Sequence, residues 1–151
     1  MDAVVEALAP RPGDRVVDLY SGVGLFSGPL AVRVGPAGSV VGVEGDRAAV
    51  DDARRNLADL PQVTNVVDRV DRALRHGVVG ERVDLVVLDP PRTGAKRPVV
   101  DAVADLGPRA VAYVACDPAA LARDVALFAE RGYRLAGLRA FDLFPMTHHV
   151  E

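Results

Sequence analysis

The stretch Arg15-Val-Val-Asp18-Leu-Tyr20-Ser-Gly22-Val-Gly24 decides the fold. Its β-branched run, Arg15 to Leu19, predicts a buried strand. A glycine turn closes the strand, and a helix is predicted from Leu25 to Val34. Glycines at such a turn accept positive φ and let a ligand come close to the backbone. They fall at 22, 24 and 28, which is not the Gly-x-Gly-x-x-Gly dinucleotide fingerprint.

Outward from this unit, the chain repeats the same alternation. A short helix, Asp2 to Ala9, precedes it and is ended by Pro10 and Pro12. After it come strand 2 (Ser39 to Val43, ended by Glu44) and a helix capped by Asp46 and running to about Asp59. That helix carries Ala49, Val50, Ala53 and Leu57 on one face. Strand 3 (Val63 to Val67), a short helix (Asp71 to His76) and strand 4 (Val83 to Leu88) follow. A helix opened by Pro98 runs to Leu106, ahead of strand 5 (Ala110 to Ala115). Asp117 caps a helix from Pro118 to Arg131, which Gly132 stops, and strand 6 is read from Tyr133 to Leu143. Strands alternating with helices predict one α/β domain, residues 1–151, with a doubly wound, mostly parallel sheet. Nothing in the chain reads as a repeat, a low-complexity tract or a linker.

Composition narrows the class. Half of the 151 residues are hydrophobic and 26% are charged, as in an ordinary globular protein. No apolar run approaches ~18 residues, so no membrane span is expected. The N-terminus lacks the basic and apolar regions of a signal peptide. A single cysteine excludes an internal disulfide, which fits a reducing cytoplasm. The formal charge of −3 makes no global electrostatic case for nucleic acid. Every basic residue but Lys96 is arginine. Arginine suits bidentate phosphate contacts, although a GC-rich genome produces the same bias.

In a doubly wound sheet, ligands bind beyond the carboxyl ends of the strands. Asp18, Glu44, Asp89 and Cys116 all fall at those ends. Glu44 follows the glycines by about 20 residues, where a carboxylate accepts from two ribose hydroxyls. A carboxylate at Asp18 suits a cationic amino-acid tail better than a pyrophosphate, which favours S-adenosylmethionine over NAD. The alternative is a structural glycine turn beside an exposed Glu. Asp89-Pro-Pro-Arg92 is a stiff loop, because its prolines fix φ and remove backbone donors. Cys116 is either a small buried hydrophobe or a nucleophile at a helix N-terminus. There the helix dipole favours the thiolate and the neighbouring Asp117 opposes it. His148-His149-Val-Glu151 has poor spacing for a metal site, and no metal is expected.

Three of these stretches, in this order, resemble the S-adenosylmethionine-dependent RNA uridine carbon-5 methyltransferases. Asp18-Leu-Tyr-Ser-Gly-Val-Gly24 is similar to their cofactor loop. Asp89-Pro-Pro-Arg-Thr-Gly94 followed by Tyr113-Val-Ala-Cys116-Asp-Pro118 resembles their second signature. Phe141-Asp-Leu-Phe-Pro-Met-Thr-His-His-Val-Glu151 resembles their third. The resemblance implies a Rossmann-like class I methyltransferase domain with S-adenosylmethionine as cofactor. It implies that Cys116 adds to carbon 6 of uracil and that Glu151 removes the carbon-5 proton. Asp18, Tyr20, Gly22, Gly24, Glu44, Asp71 and Asp89 then contact the cofactor, and Arg92 and Asp89 the substrate. The implied partner is transfer RNA or 23S ribosomal RNA. The protein is expected to be a cytoplasmic monomer, without membrane or metal.

Leu25, Ala115, Asp117, Ala120 and Met146 depart from the family pattern. The family's upstream RNA-binding regions have no counterpart, nor does its last strand, which inserts between strands 5 and 6. A catalytic-domain fragment is therefore expected, inactive or nearly so in isolation, with a gap or an exposed edge at that place. Other readings are a methyltransferase for RNA cytosine or a small molecule, and a non-catalytic cofactor-binding module.

Overall fold

The computed structural model describes residues 1–141. Five parallel strands lie in the order β3-β2-β1-β4-β5. They are β1 (Arg15–Leu19), β2 (Ser39–Glu44), β3 (Val63–Val67), β4 (Leu85–Leu88) and β5 (Ala110–Tyr113). The helices are α1 (Asp2–Leu8), α2 (Ser27–Val34), α3 (Arg47–Asn56), α4 (Val70–Arg75), α5 (Lys96–Asp105) and α6 (Pro118–Glu130). The order reverses at β1, whose neighbours are β2 and β4. That switch point is where a doubly wound sheet opens a crevice.

Alternation along the strands builds two cores. Val17, Leu19, Val86 and Leu88 face α4, α5 and α6, packing with Val70, Val100 and Phe128. Val16, Val40, Leu85 and Val87 face α1 and α2, packing with Leu8, Leu30 and Val34. Successive strand side chains point to opposite faces, so a run such as Leu85-Val-Val-Leu88 serves both layers. Each such buried side chain contributes about 1.5–3 kcal/mol.

The predicted elements are present with three corrections. The helix after the glycine turn starts at Ser27, not Leu25. Residues 22–26 form turns, with Val23 and Leu25 turned to solvent. Strand 5 ends at Tyr113, not Ala115. The Val114 N–H still donates to the Leu88 carbonyl at 2.8 Å, but the facing chain then enters Asp89-Pro-Pro, and proline has no N–H to continue the ladder. Strand 6 is not formed over residues 133–141. Leu135 and Leu138 there are exposed. A strand needs a ladder partner, and β5 has none on that side among the described residues. The remainder of the predicted strand, Asp142 and Leu143, lies outside the described residues.

Smaller shifts affect ends alone. The α3 helix stops at Asn56, and α5 begins two residues before Pro98, which stays in the first turn, where a missing N–H costs nothing. Among the described residues no helix is long and apolar enough to cross a membrane.

Candidate active site

The glycine turn sits over the switch point. The Tyr20 and Ser21 N–H groups both donate to the Val43 carbonyl, at 2.9 and 3.1 Å, tying the turn to the end of β2. Tyr20 is held at φ 63° and Gly22 at φ 52°. The Gly22 N–H donates to Glu44 Oε2 at 3.1 Å and the Asp46 N–H to Oε1 at 2.9 Å. Each carboxylate oxygen keeps a second lone pair for an incoming hydroxyl. The Glu44 carboxylate is thus fixed at the crevice with acceptor capacity in reserve.

Asp18 lies beneath this turn, with no exposed surface. Its Oδ2 accepts from the Ser27 hydroxyl at 2.6 Å, while Oδ1 is buried without a partner. Its carboxyl is pushed up to about 7. Burial is the main cause. The Ser27 bonds pull the other way, and the charges of Asp89 and Glu44 add to the rise. Three carboxylates thus act on one another at the crevice. This group suits a ligand carrying positive charge and ribose hydroxyls, and would repel a pyrophosphate.

Tyr20 is half-buried, and its hydroxyl is pushed up to about 12 by burial, then by Asp71 and Asp124. Asp71 opens α4 and is ion-paired to Arg69 at 3.0 Å and Arg75 at 3.3 Å. Its carboxyl is held below the usual range, mainly by the Arg69 hydrogen bond. Asp68 stands closer to the strand end than Asp71: it directly follows β3, and its N–H donates to the Glu44 carbonyl at 3.0 Å.

Asp89 follows β4 directly, and its N–H donates to the Leu19 carbonyl at 3.2 Å. The next loop residues meet the cysteine in one cleft. Pro90, Pro91, Arg92 and Gly94 form one wall, and Tyr113, Ala115 and Cys116 the other. Cys116 is half-buried and is a free thiol. Asp117 caps α6, with Oδ1 accepting from the Ala120 N–H at 2.7 Å. Asp and Asn cap helices about equally well, so the departure at this position leaves the local geometry intact.

The structure thus gathers Asp18, Tyr20, Gly22, Gly24, Glu44 and Asp89 around the switch point, and Arg92 and Cys116 at the adjoining cleft. Glu151, like His148 and His149, lies outside the described residues. Among the described residues no cluster of His, Cys, Asp or Glu could hold a metal ion. The sequence reading missed Ser27, Asp68 and Asp124. Ser27 and Asp124 sit in helices, where one small polar residue carries no signal. Asp68 follows a predicted strand as directly as Glu44 does, and that position was a usable signal.

Residues 77–151 match the family described as tRNA (uracil-5-)-methyltransferase. The chain is 54% identical over 149 residues to an uncharacterised RNA methyltransferase of Streptomyces avermitilis, covering 99% of the chain and 34% of that protein. It is 42% identical to a 23S rRNA (uracil(1939)-C(5))-methyltransferase, RlmD, of Shewanella sp. (strain ANA-3), covering 97% and 32%. The chain therefore spans about a third of the length of these curated relatives. In fold it is similar to Aeropyrum pernix fibrillarin in complex with S-adenosyl-L-methionine. The TM-score there is 0.77 at 17% identity, covering 93% of this chain and 65% of that one. A putative RNA methyltransferase of Pyrococcus horikoshii gives 0.68 at 24% identity, covering 87% and 68%. The fold is the Rossmann-like fold of S-adenosylmethionine methyltransferases, and residues 77–151 belong to the tRNA (uracil-5-)-methyltransferase family.

Proposed function

We propose that this domain methylates carbon 5 of a uridine in RNA, ribosomal or transfer, with S-adenosylmethionine as the methyl donor. The observation that carries the reading is the shared cleft. The sole thiol of the chain opens beside the Asp89-Pro-Pro-Arg92 loop, next to the crevice where Asp18, Glu44 and Asp89 converge.

The residues fit the cofactor. Glu44 offers acceptors to the ribose hydroxyls, and the Asp18–Asp89 side of the crevice favours the cationic amino-acid end. Gly22 and Gly24 let the ligand come close to the backbone. When bound, S-adenosylmethionine supplies an electrophilic methyl group on a sulfonium.

The chain must make carbon 5 of uracil nucleophilic, because unaided it is too weak. The Cys116 thiolate adds to carbon 6, and the electron pair of the 5,6 double bond moves onto carbon 5 and the 4-carbonyl. Arg92 at the cleft mouth is suited to an RNA phosphate or a uracil carbonyl. After methylation, a carboxylate takes the carbon-5 proton. Glu151 is the residue assigned to that step. The carbon–sulfur bond then breaks, the double bond re-forms, and Cys116 leaves as thiolate. A uridine inside structured RNA has to be flipped out to reach the cleft.

RNA carrying 5-fluorouridine tests the reading, because fluorine at carbon 5 cannot leave as a proton would. The intact protein with cofactor should form a denaturation-resistant adduct, mapping to Cys116 by mass spectrometry and absent from Cys116→Ala. Equal adduct in Cys116→Ala would sink the mechanism. Methylation found on cytosine would sink the substrate assignment.

A further inference from the structure

We propose that Asp124 is a positioning residue for this reaction, acting as a clamp that fixes the Asp89–Gly94 loop against the helix following Cys116. The proposal rests on the methyltransferase reading above.

Asp124 lies in α6 and has no exposed surface. Its Oδ2 accepts from the Tyr113 hydroxyl at 2.6 Å, the Ala95 N–H at 2.7 Å and the Lys96 N–H at 3.2 Å. Its Oδ1 accepts from Arg123 Nε at 2.9 Å, and Arg123 Nη2 reaches on to the Thr93 carbonyl at 2.9 Å. The Tyr113 hydroxyl in turn accepts from the Ala95 N–H at 3.0 Å. One carboxylate therefore joins four segments: the end of β5, the loop after β4, the start of α5, and α6. Two of the residues at this junction, Tyr113 and Gly94, line the Cys116 cleft.

The backbone is shaped to this carboxylate. Gly94 is at φ 72°, and a Cβ there would lie 2.5 Å from Asp124 Oδ2 and 2.4 Å from Arg123 Nη2. Lys96, which is not glycine, is held at φ 67°. Left-handed backbone at such a residue persists where surrounding bonds over-determine it. An apolar side chain at 124 could fill the same space. A buried carboxylate with this many partners instead selects one arrangement of its neighbours, a use best argued case by case. Here the arrangement selected is the spacing between the Arg92 wall and the Cys116 wall.

The test compares the intact protein with Asp124→Asn and Tyr113→Phe. Each is measured for cofactor affinity, for the rate of adduct formation with 5-fluorouridine RNA, and for kcat and KM on uridine RNA. A misplaced wall should cost about 10-fold or more in adduct rate and kcat for Asp124→Asn. Cofactor affinity should stay within about 2-fold, because the glycines and Glu44 make no bond to the clamp and Asp89 is tied to the end of β1 by its own N–H, which donates to the Leu19 carbonyl at 3.2 Å. Tyr113→Phe should fall between, and the double variant should be no worse than Asp124→Asn, as for residues acting as a unit. A role confined to stability would instead lower the melting temperature and leave the folded fraction with full kcat. That outcome overturns the clamp. If Asp124→Asn does not fold, Tyr113→Phe decides, and an unimpaired adduct rate there overturns it too. Wild-type protein that forms no adduct at all overturns the functional reading and, with it, the clamp's part in the reaction.

Discussion

In the role proposed for it, Asp18 must be charged to attract a cation, yet its burial works against charge. Its carboxyl titrates at about 7 in the folded chain, against 3.8 for an ordinary aspartate. A raised acid means that the folded state holds the proton more tightly. The contribution of Asp18 to stability is then fully present below about 3.8 and is lost as pH rises through about 7. Cofactor binding runs the opposite way, because the ionised form is the attractive one. Affinity for S-adenosylmethionine should therefore rise roughly tenfold between pH 6 and 7.5, below the range in which the α-amino group of the ligand itself deprotonates. Calorimetric titrations across that window should show the rise, and Asp18→Asn should flatten it. A flat profile in the unmodified protein would mean that this carboxylate does not face the cofactor. Asp18 stood out in the sequence because it lies one residue from the end of a strand that runs into glycines. Its burial and its Ser27 partner did not, since neither follows from local pattern. Asp124 was hidden for the same reason: its partners lie up to 29 residues away in the chain.

At the scale of elements, the glycine turn shows which constraint each glycine answers. Gly22 is at φ 52° with open space around a would-be Cβ. Gly24 is at φ 89°, and a Cβ there would lie 2.6 Å from Leu57 Cδ1, at the end of α3. Gly22→Ala should cost only the backbone term, about 1 kcal/mol. Gly24→Ala carries that term and must also displace Leu57, so about 2–3 kcal/mol is expected. Urea unfolding of the two variants checks the order, and equal losses would show that Leu57 moves aside freely. The strand–turn–helix unit was readable because its signals are local: a β-branched run, glycines and an apolar helix face. Strand 6 was misread over Tyr133 to Phe141 because apolar content marks a segment able to form a strand but does not say whether it pairs, and the open edge of β5 is left uncovered by the described residues. The early end of β5 was set by Pro90 and Pro91 in the facing chain. Both prolines were visible, but their register against Val114 was not.

Across the whole molecule, two tasks fall on two halves of the chain. Under the proposed function, the crevice for the cofactor is built mainly before residue 77, from the ends of β1 and β2, and Asp89 is the later contribution. The match to the tRNA (uracil-5-)-methyltransferase family runs from 77 to 151, where the Asp89 loop and Cys116 lie. The parallel sheet joins these halves at the β1–β4 pair, Leu19 beside Leu88, so both tasks end on one rim. That arrangement follows from topology, and the alternation of strands and helices was enough to anticipate it. The distances across the cleft depend on side chains from several elements and were not readable in advance. If the crevice is complete within this chain, residues 1–151 should bind S-adenosylmethionine without RNA. A ligand at a hundred times its Kd stabilises the folded state by about 2.7 kcal/mol. For a domain of this size that corresponds to a rise of about 5–10 °C in Tm. Thermal unfolding with and without the cofactor measures it directly. Glu44→Gln should shrink the shift, because it loses the charge that strengthens the bonds to the ribose hydroxyls while keeping the volume. Cys116→Ala should leave the shift intact, because the thiol serves the other half of the task. An absent shift in the unmodified chain would contradict a self-contained crevice, and a shift lost in Cys116→Ala would contradict the division of labour between the halves.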